Sequence, residues 1–176
     1  MNYSVRYIIF CLFTLSAVFC RAESVKHNFQ KLYTDKDITV TASNTIGTTS
    51  FCTYTCTSGA EFLADIYKTA GAICIFLDKT NAQVETTLIS GLDSLVIQYY
   101  PATEYKEMVV SIKEEGGEWT SATVVQKTKG TSVVKLPTAG DYYLRIKRKN
   151  AHFYIRELEY HYIDLSGCPN CFLYHP

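Results

Sequence analysis

Two cysteines near the C-terminus, Cys168 and Cys171, have the two-residue spacing that redox pairs and zinc sites use. A redox pair requires its first cysteine at a helix N-terminus, where the helix dipole lowers the pKa of the thiol, whereas a predicted strand precedes this pair. A zinc site would need two further ligands, for which His161 and His175 are the candidates. We favour a structural disulfide and predict no metal, with redox chemistry and zinc kept as alternatives.

Cys52, Cys56 and Cys74 are the other cysteines after the predicted leader. In an oxidising compartment, Cys52 and Cys56 are candidate disulfide partners. Residues four apart on a flat strand point the same way but lie about 13 Å apart, which is too far for a disulfide. That pair therefore needs a bend, or a partner on another strand. Cys74 lies in the apolar run 72–77 and is predicted to be a buried thiol.

No group of residues has the arrangement of a nucleophilic active site. Ser58 and Ser90 each precede a glycine, but both lack the glycine two positions earlier that a nucleophile elbow requires. None of the four histidines stands in a motif with a nucleophile. The sequence therefore predicts neither an enzyme nor a cofactor.

The acidic residues are also predicted to have structural roles. Glu157 and Glu159 lie on one face of a predicted strand, whereas the two carboxylates of a glycosidase usually come from separate segments across a cleft. A solvent-facing edge, or pairing with Arg145 and Arg148, is the simpler role. Four aspartates near turns do not form the clustered loop that calcium requires: Asp78, Asp93, Asp141 and Asp164.

A different chemistry suits the aromatic residues. A carbohydrate site combines flat rings, which pack against the C–H patches of a sugar, with planar polar groups that bind its hydroxyls. Trp119 lies beside a turn with two glycines, Tyr100 and Tyr105 flank one loop, and we expect Tyr143 and Arg145 to point outward from one strand. These five are the candidate ligand-binding residues. The alternative is that the aromatic residues are core packing, which is their commoner role.

The N-terminus has the pattern of a cleavable signal peptide. Arg6 precedes the apolar run 7–19, and no acidic residue occurs before Glu23. The run is shorter than the roughly 20 residues that span a bilayer, so a retained anchor is the weaker alternative. Lipidation of Cys20 is disfavoured because bulky Phe19 precedes it. We predict a leader at 1–22 and one domain at 23–176, with a Cys-containing tail at 166–176.

Charge argues against a nucleic-acid partner. The whole chain has 17 basic and 17 acidic residues, and the chain after residue 22 keeps 15 basic and 17 acidic ones. The short basic cluster at 147–149 adjoins Asn150 and resembles a solvated turn rather than a phosphate-binding stripe.

The remaining sequence predicts an all-β domain. Val, Ile, Thr and Tyr are abundant, and short alternating segments are separated by Gly, Pro and Asn turns. Segment 61–67 suits a short helix or a strand. Tyr142, Leu144 and Ile146 are expected to face inward. The parity of apolar residues changes between 155 and 158, which predicts a bulge near Arg156. The predicted strands cover 37–41, 51–57, 72–77, 84–88, 94–100, 108–113, 122–126, 132–136, 141–147 and 153–163, with turns at 91–93, 114–118 and 137–140.

A two-sheet antiparallel β-sandwich of the jelly-roll type accounts for these segments. The order of the motifs resembles the second half of the galactose-binding-like jelly rolls that occur as carbohydrate-binding modules of small secreted bacterial proteins. Four segments carry this resemblance: Leu92–Tyr100, the Gly-Gly-Glu-Trp turn at 116–119, Leu136–Ile146 and Phe153–Tyr160. It implies a binding domain that is not an enzyme, and it transfers no ligand residue by motif.

Two functions follow as hypotheses. The first is a secreted, non-catalytic domain that recognises a glycan or polysaccharide. The second is a structural or protein-interaction domain of the cell surface, with a surface protein as its partner. Aromatic residues aligned with planar polar groups on an exposed face would favour the first, and an exposed apolar edge or patch would favour the second. The predicted location is extracellular, or the periplasm or cell surface if the protein is bacterial.

Overall fold

Antiparallel strands make up most of the computed structural model, as the β-branched and aromatic content predicts. The structure describes residues 21–64, 73–101, 107–126, 130–150 and 152–164. One helix, α1 (Phe29–Thr34), lies within these ranges. The strands are β1 (Arg21–Asn28), β2 (Thr39–Val40), β3 (Ile46–Thr48), β4 (Thr53–Thr57), β5 (Ala60–Ala64), β6 (Ile73–Leu77), β7 (Gln83–Thr86), β8 (Ile89–Pro101), β9 (Glu107–Lys113), β10 (Thr120–Gln126), β11 (Gly130–Arg148) and β12 (Phe153–Asp164).

The strands form two antiparallel sheets that share β11. The first sheet has the order β5-β6-β12-β8-β11, and β1 lies beside the second half of β12. The second sheet has the order β2-β3-β4-β7-β11-β9-β10. Residues 130–142 of β11 pair with β8 in the first sheet, and residues 143–148 pair with β7 and β9 in the second. This is the predicted two-sheet jelly-roll sandwich.

The passage of β11 between the sheets corrects the predicted turn at 137–140. That segment stays within the strand, but its pairing with β8 jumps from Lys135 opposite Ser94 to Gly140 opposite Leu92. Between these two pairs β11 advances by five residues while β8 advances by two. The extra residues on β11 change the direction of the strand. Pro and Gly mark an irregularity here rather than a reversal of the chain.

The predicted turn at 91–93 is corrected in the same way, because β8 runs through it. Gly91 has φ +64°, which favours glycine. A Cβ at this position would overlap the carbonyl oxygen of Ile163. The backbone N–H of Gly91 donates to the Asp141 carboxylate at 2.9 Å, so this aspartate fastens the irregular part of β8 to β11.

Two elements near the N-terminus were not predicted. β1 pairs along its whole length with β12, from Arg21 opposite Asp164 to Asn28 opposite Glu157. Arg21 and Ala22, which the predicted boundary assigns to the leader, are its first two residues. The Asn28 side chain then accepts a hydrogen bond from the Lys31 N–H and caps α1. The described chain contains no helix long and apolar enough to cross a membrane.

The core lies between the two sheets, and the predicted inward residues belong to it. Tyr142, Leu144 and Ile146 are buried, while the residues between them are partly exposed. Residues 61–64 of the ambiguous segment 61–67 lie in β5, which pairs with β6, and residues 65–67 lie outside the described residues. The predicted bulge is confirmed, because the register of β12 against β8 shifts between Ile155 and Glu157. Because of this shift, apolar side chains at odd-numbered positions before it and at even-numbered positions after it are buried.

A buried polar cluster crosses the core. The His27 Nδ1 hydrogen-bonds the Tyr54 hydroxyl, and that hydroxyl lies 2.8 Å from the Tyr160 hydroxyl. Burial lowers the pKa of His27 to about 4 and raises the pKa values of both tyrosines well above 10. The Cys52 thiol adjoins the two hydroxyls, and burial raises its pKa to about 11. The imidazole is therefore neutral at pH 7 and the thiol is protonated.

The disulfide predicted for Cys52 and Cys56 is not formed. Both side chains are buried free thiols; Cys52 directly precedes β4, Cys56 lies within it, and buried Tyr54 is between them in sequence. Extended residues four positions apart cannot bring their sulfur atoms into bonding distance. Cys74 is buried, as predicted, and its thiol donates a hydrogen bond of 3.4 Å to the Leu63 carbonyl. The pair Cys168 and Cys171 lies outside the described residues.

Candidate functional site

Three of the five predicted ligand residues meet on the outer surface of the second sheet. The guanidinium carbon of Arg145 lies 3.9 Å from the centre of the Trp119 ring. The Lys113 ammonium lies 5.2 Å from that ring and 5.0 Å from the ring of Tyr143. Both distances are within the range of cation–π attraction. We call the exposed side of the second sheet that carries these four residues the outer face.

Strand register explains why these side chains converge. Tyr143 on β11 is directly opposite Lys113 on β9, and Arg145 is opposite Ser111. Because side chains alternate along a strand, the side chains of these two opposite pairs all point away from the core. Trp119 enters this group from the turn that joins β9 to β10, where Gly116 has φ +74° and the Gly117 N–H donates to the Glu114 carbonyl.

Arg145 is held on its other side by the neighbouring strand. Its Nε and Nη2 both lie 2.8 Å from Oε1 of Glu85 on β7. The same oxygen accepts a hydrogen bond of 2.9 Å from the Gln83 side chain. The guanidinium is thus fixed between an indole ring and a carboxylate, with its position set by three adjacent strands.

Beyond Glu85 the outer face becomes rich in hydroxyl groups. Thr55 on β4 is opposite Glu85, and Ile46 on β3 is opposite Thr55. Thr53 Oγ1 lies 3.3 Å from Thr48 Oγ1. A continuous row therefore crosses the strands from β9 to β3, with cations and aromatic rings at one end and threonines at the other.

Trp119 and Tyr143 are partly exposed residues of the outer face rather than core residues. Their rings supply apolar surface next to the donors of Arg145 and Lys113. Sequence reasoning missed Lys113 and Glu85 as members of the group. Their alternation with buried Ile112 and Val84 placed them outward, but only the register shows which strands are adjacent.

The other two predicted residues are not part of this group. Tyr100 lies on the outer side of the first sheet, where the Arg156 guanidinium carbon is 4.7 Å from its ring centre. It is opposite Tyr154, whose ring stacks on Phe76 at 4.4 Å. Tyr105 lies outside the described residues.

The acidic pair on β12 is built into a network of the first sheet. The Lys26 ammonium lies 3.2 Å from Glu157 and 3.1 Å from Glu159. The nearly buried Glu157 carboxylate also accepts hydrogen bonds from Gln98 at 2.7 Å and Asn28 at 3.2 Å. The partner of Glu157 and Glu159 is therefore Lys26, not the predicted arginines.

The described residues contain no cluster of three or more His, Cys, Asp or Glu side chains that could hold a metal ion. Three of the predicted turn aspartates have structural contacts, and one of them is Asp93, whose Oδ2 accepts a hydrogen bond of 3.2 Å from the Ser94 hydroxyl. Asp141 binds the Gly91 N–H, and Asp78 Oδ1 lies 2.9 Å from His152 Nδ1.

Comparison with solved structures identifies proteins of similar fold. No family model and no curated protein matches the sequence. The K2 cleaved adhesin domain of Lys-gingipain is similar with a TM-score of 0.55 at 12% identity, over 78% of this chain and 99% of that domain. A point variant of a family 29 carbohydrate-binding module is similar with a TM-score of 0.50 at 11% identity, over 80% and 93%.

An isomalto-dextranase of Arthrobacter globiformis T6 is similar with a TM-score of 0.46 at 15% identity over 62% of this chain. This chain spans 23% of the length of that enzyme. The described chain thus has the β-sandwich fold found in carbohydrate-binding modules.

Proposed function

We propose that this protein is a secreted, non-catalytic domain that binds carbohydrate on the outer face of its second sheet. The observation that carries the proposal is the convergence of Trp119, Tyr143 and Arg145 with Lys113 on an exposed sheet surface. Aromatic rings next to planar hydrogen-bonding groups are what recognition of a sugar ring requires.

Each part of the group has a role in the proposed site. The partly exposed rings of Trp119 and Tyr143 would pack against the apolar side of a sugar. Arg145 has five N–H donors, and its Nε and Nη2 engage Glu85, so we expect Nη1 to bind a sugar hydroxyl. Because Glu85 and the strand register hold the guanidinium in place, little side-chain entropy is lost on binding.

The fold and the surface both favour this function over the alternative of a protein-interaction domain. The similar structures include a variant of a family 29 carbohydrate-binding module made to probe ligand recognition, and an adhesin domain. Among the described residues, the exposed large hydrophobic side chains are Tyr33, Ile46 and Val133. They lie on α1, β3 and β11, so they do not form the apolar patch that a protein interface would present.

The test is a binding titration of purified protein against a panel of soluble polysaccharides. Replacing Trp119→Ala should weaken binding at least tenfold, which corresponds to about 1.4 kcal/mol, because the stacking surface is lost. Trp119→Phe should weaken it less. Tyr33→Ala removes an exposed aromatic residue from α1 and should leave binding unchanged.

Circular dichroism and urea unfolding establish that each variant is folded. Equal binding by wild type and folded Trp119→Ala would refute the proposed site. No binding to any polysaccharide would refute the proposed function and favour the structural or protein-interaction role.

A further inference from the structure

The charges on the strands of the outer face are only partly paired. Glu85 is paired with Arg145, and Glu107 at the start of β9 is paired with Lys149 at 2.6 Å. These are the two carboxylates on the outward-facing positions of the described strands of this sheet. Lys113 and Lys147 are left, and no carboxylate among the described residues forms an ion pair with either of them. The strands of the outer face therefore carry two lysines that have no ion-paired carboxylate among the described residues.

These two lysines flank the aromatic group. Lys147 is opposite Val109, and Lys113 is opposite Tyr143, so they lie four residues apart along adjacent strands. That separation is about 13 Å along the strand direction, with Arg145 midway. One sugar ring cannot reach both ammonium groups, whereas consecutive units of a polymer can.

The positive charge is local rather than a property of the whole chain, whose formal net charge is zero. A negatively charged polymer gains nothing from long-range attraction to such a protein. The turn beside Trp119 adds three exposed carboxylates at positions 114, 115 and 118, which repel anions from that end. Attraction is therefore concentrated on the strands between Lys113 and Lys147.

Lys113 places a positive charge next to the two aromatic rings proposed to stack on the sugar. Its ammonium lies about equally far from the ring centres of Trp119 and Tyr143, at 5.2 and 5.0 Å. A sugar ring packed against either aromatic ring would carry its substituents next to this ammonium. A neutral hydroxyl there would form an ordinary hydrogen bond, whereas a carboxylate or sulfate would form a stronger, charge-assisted one.

Resting on the proposed function, we infer that the ligand is an anionic polysaccharide, a polymer of sugars bearing carboxylate or sulfate groups that lies across Lys113, Arg145 and Lys147. The aromatic rings bind the sugar rings, and the three cations bind the anionic substituents.

The experiment compares polymers that differ in charge alone. Polygalacturonate is titrated beside its methyl-esterified form, and dextran sulfate beside dextran. Binding to at least one anionic polymer should be tenfold or more tighter than to its neutral match. Its affinity should fall as salt is raised from about 0.05 to 0.5 M, since the contacts are exposed to screening. The two pairs distinguish uronate from sulfate.

Variants locate the interaction. Lys147→Gln should weaken anionic binding roughly three- to tenfold and leave neutral binding unchanged. Lys135→Gln is the matched control, because Lys135 is an exposed lysine of the same strand on the outer side of the first sheet. Lys113→Gln should weaken anionic binding too, but it also removes a donor beside the rings that pack against a neutral sugar, so Lys147→Gln is the variant that isolates charge.

Equal binding to charged and neutral members of both pairs would overturn the anionic ligand and leave the proposed function standing. Binding to none of the four, nor to any polysaccharide of the wider panel, would overturn both. An equal loss in Lys135→Gln and Lys147→Gln would overturn the placement on the outer face.

Discussion

Acidification should destabilise the fold through His27, because the folded protein resists its protonation. The side chain is 3% exposed and hydrogen-bonds the Tyr54 hydroxyl. Burial lowers its pKa from 6.5 to about 4. Between these values the unfolded chain binds more protons than the folded one, so stability decreases as the pH falls. The contribution of His27 is complete above about pH 6.5.

The magnitude follows from the two pKa values. At about 1.4 kcal/mol per pKa unit, the full depression corresponds to roughly 3 kcal/mol, lost by about pH 4. At pH 5 the folded imidazole is mostly neutral and the unfolded one mostly charged, so about 2 kcal/mol should already be lost. Carboxylates begin to titrate in the same range, so the wild-type curve alone does not isolate His27.

The difference between wild type and His27→Phe isolates it. The phenyl ring cannot titrate and keeps the apolar packing, while the Tyr54 hydroxyl retains its contact with Tyr160. Urea unfolding followed by circular dichroism at pH 7.5, 6.5, 5.5 and 4.5 gives the free energy of unfolding of both proteins. The wild type should lose about 2.5 kcal/mol more than the variant over this range. Parallel curves would refute the reasoning, because all other groups titrate in both proteins.

Two further predictions concern the core and the backbone. Gly91→Ala should lower the free energy of unfolding by more than about 2 kcal/mol, since its Cβ meets the Ile163 carbonyl at positive φ. Gly116 also has a positive φ, but open space surrounds it, so Gly116→Ala should lower the free energy of unfolding by about 1 kcal/mol. Equal losses for the two variants in urea unfolding would contradict the steric argument. The thiols of Cys52 and Cys56, with pKa values raised by burial to about 11 and 12, should not react with Ellman's reagent at pH 8 until denaturant is added. Rapid labelling of the native protein would show that they are accessible.

Sequence patterns predicted the elements whose two faces differ most. Tyr142, Leu144 and Ile146 alternate with polar residues because one face is buried, and this alternation is visible in the sequence. The bulge after Ile155 was visible as a change in the parity of the apolar residues. Both signals are local and arise from burial.

The unpredicted elements depend on contacts distant in sequence. β1 has a mixed composition, and it forms a strand because β12, more than a hundred residues away, presents an unpaired edge. The segment 137–140 looks like a turn because it contains Pro and Gly, yet β11 continues through it from one sheet to the other. Propensity is a weak guide where tertiary pairing decides the outcome.

The candidate site was predictable in its residue types but not in its assembly. Trp119, Tyr143 and Arg145 were chosen for their chemistry and for outward alternation. Their convergence requires the register of β9 against β11, and the role of Glu85 requires the order of β7. Neither follows from local sequence, since a shift of one residue would turn Tyr143 and Arg145 toward the core.

The same parity explains why the fold and the ligand are separate questions. Core packing constrains the inward positions of β9 and β11 and thereby fixes which positions point outward, but it places no demand on the residue types there. Similar sandwiches at about 12% identity can therefore share the fold and differ completely in ligand. In this chain the outer face holds two aromatic rings beside cations, and its strands carry two lysines that have no ion-paired carboxylate among the described residues. We therefore expect charge on the outer face, rather than similarity of fold, to decide which ligand the proposed site binds.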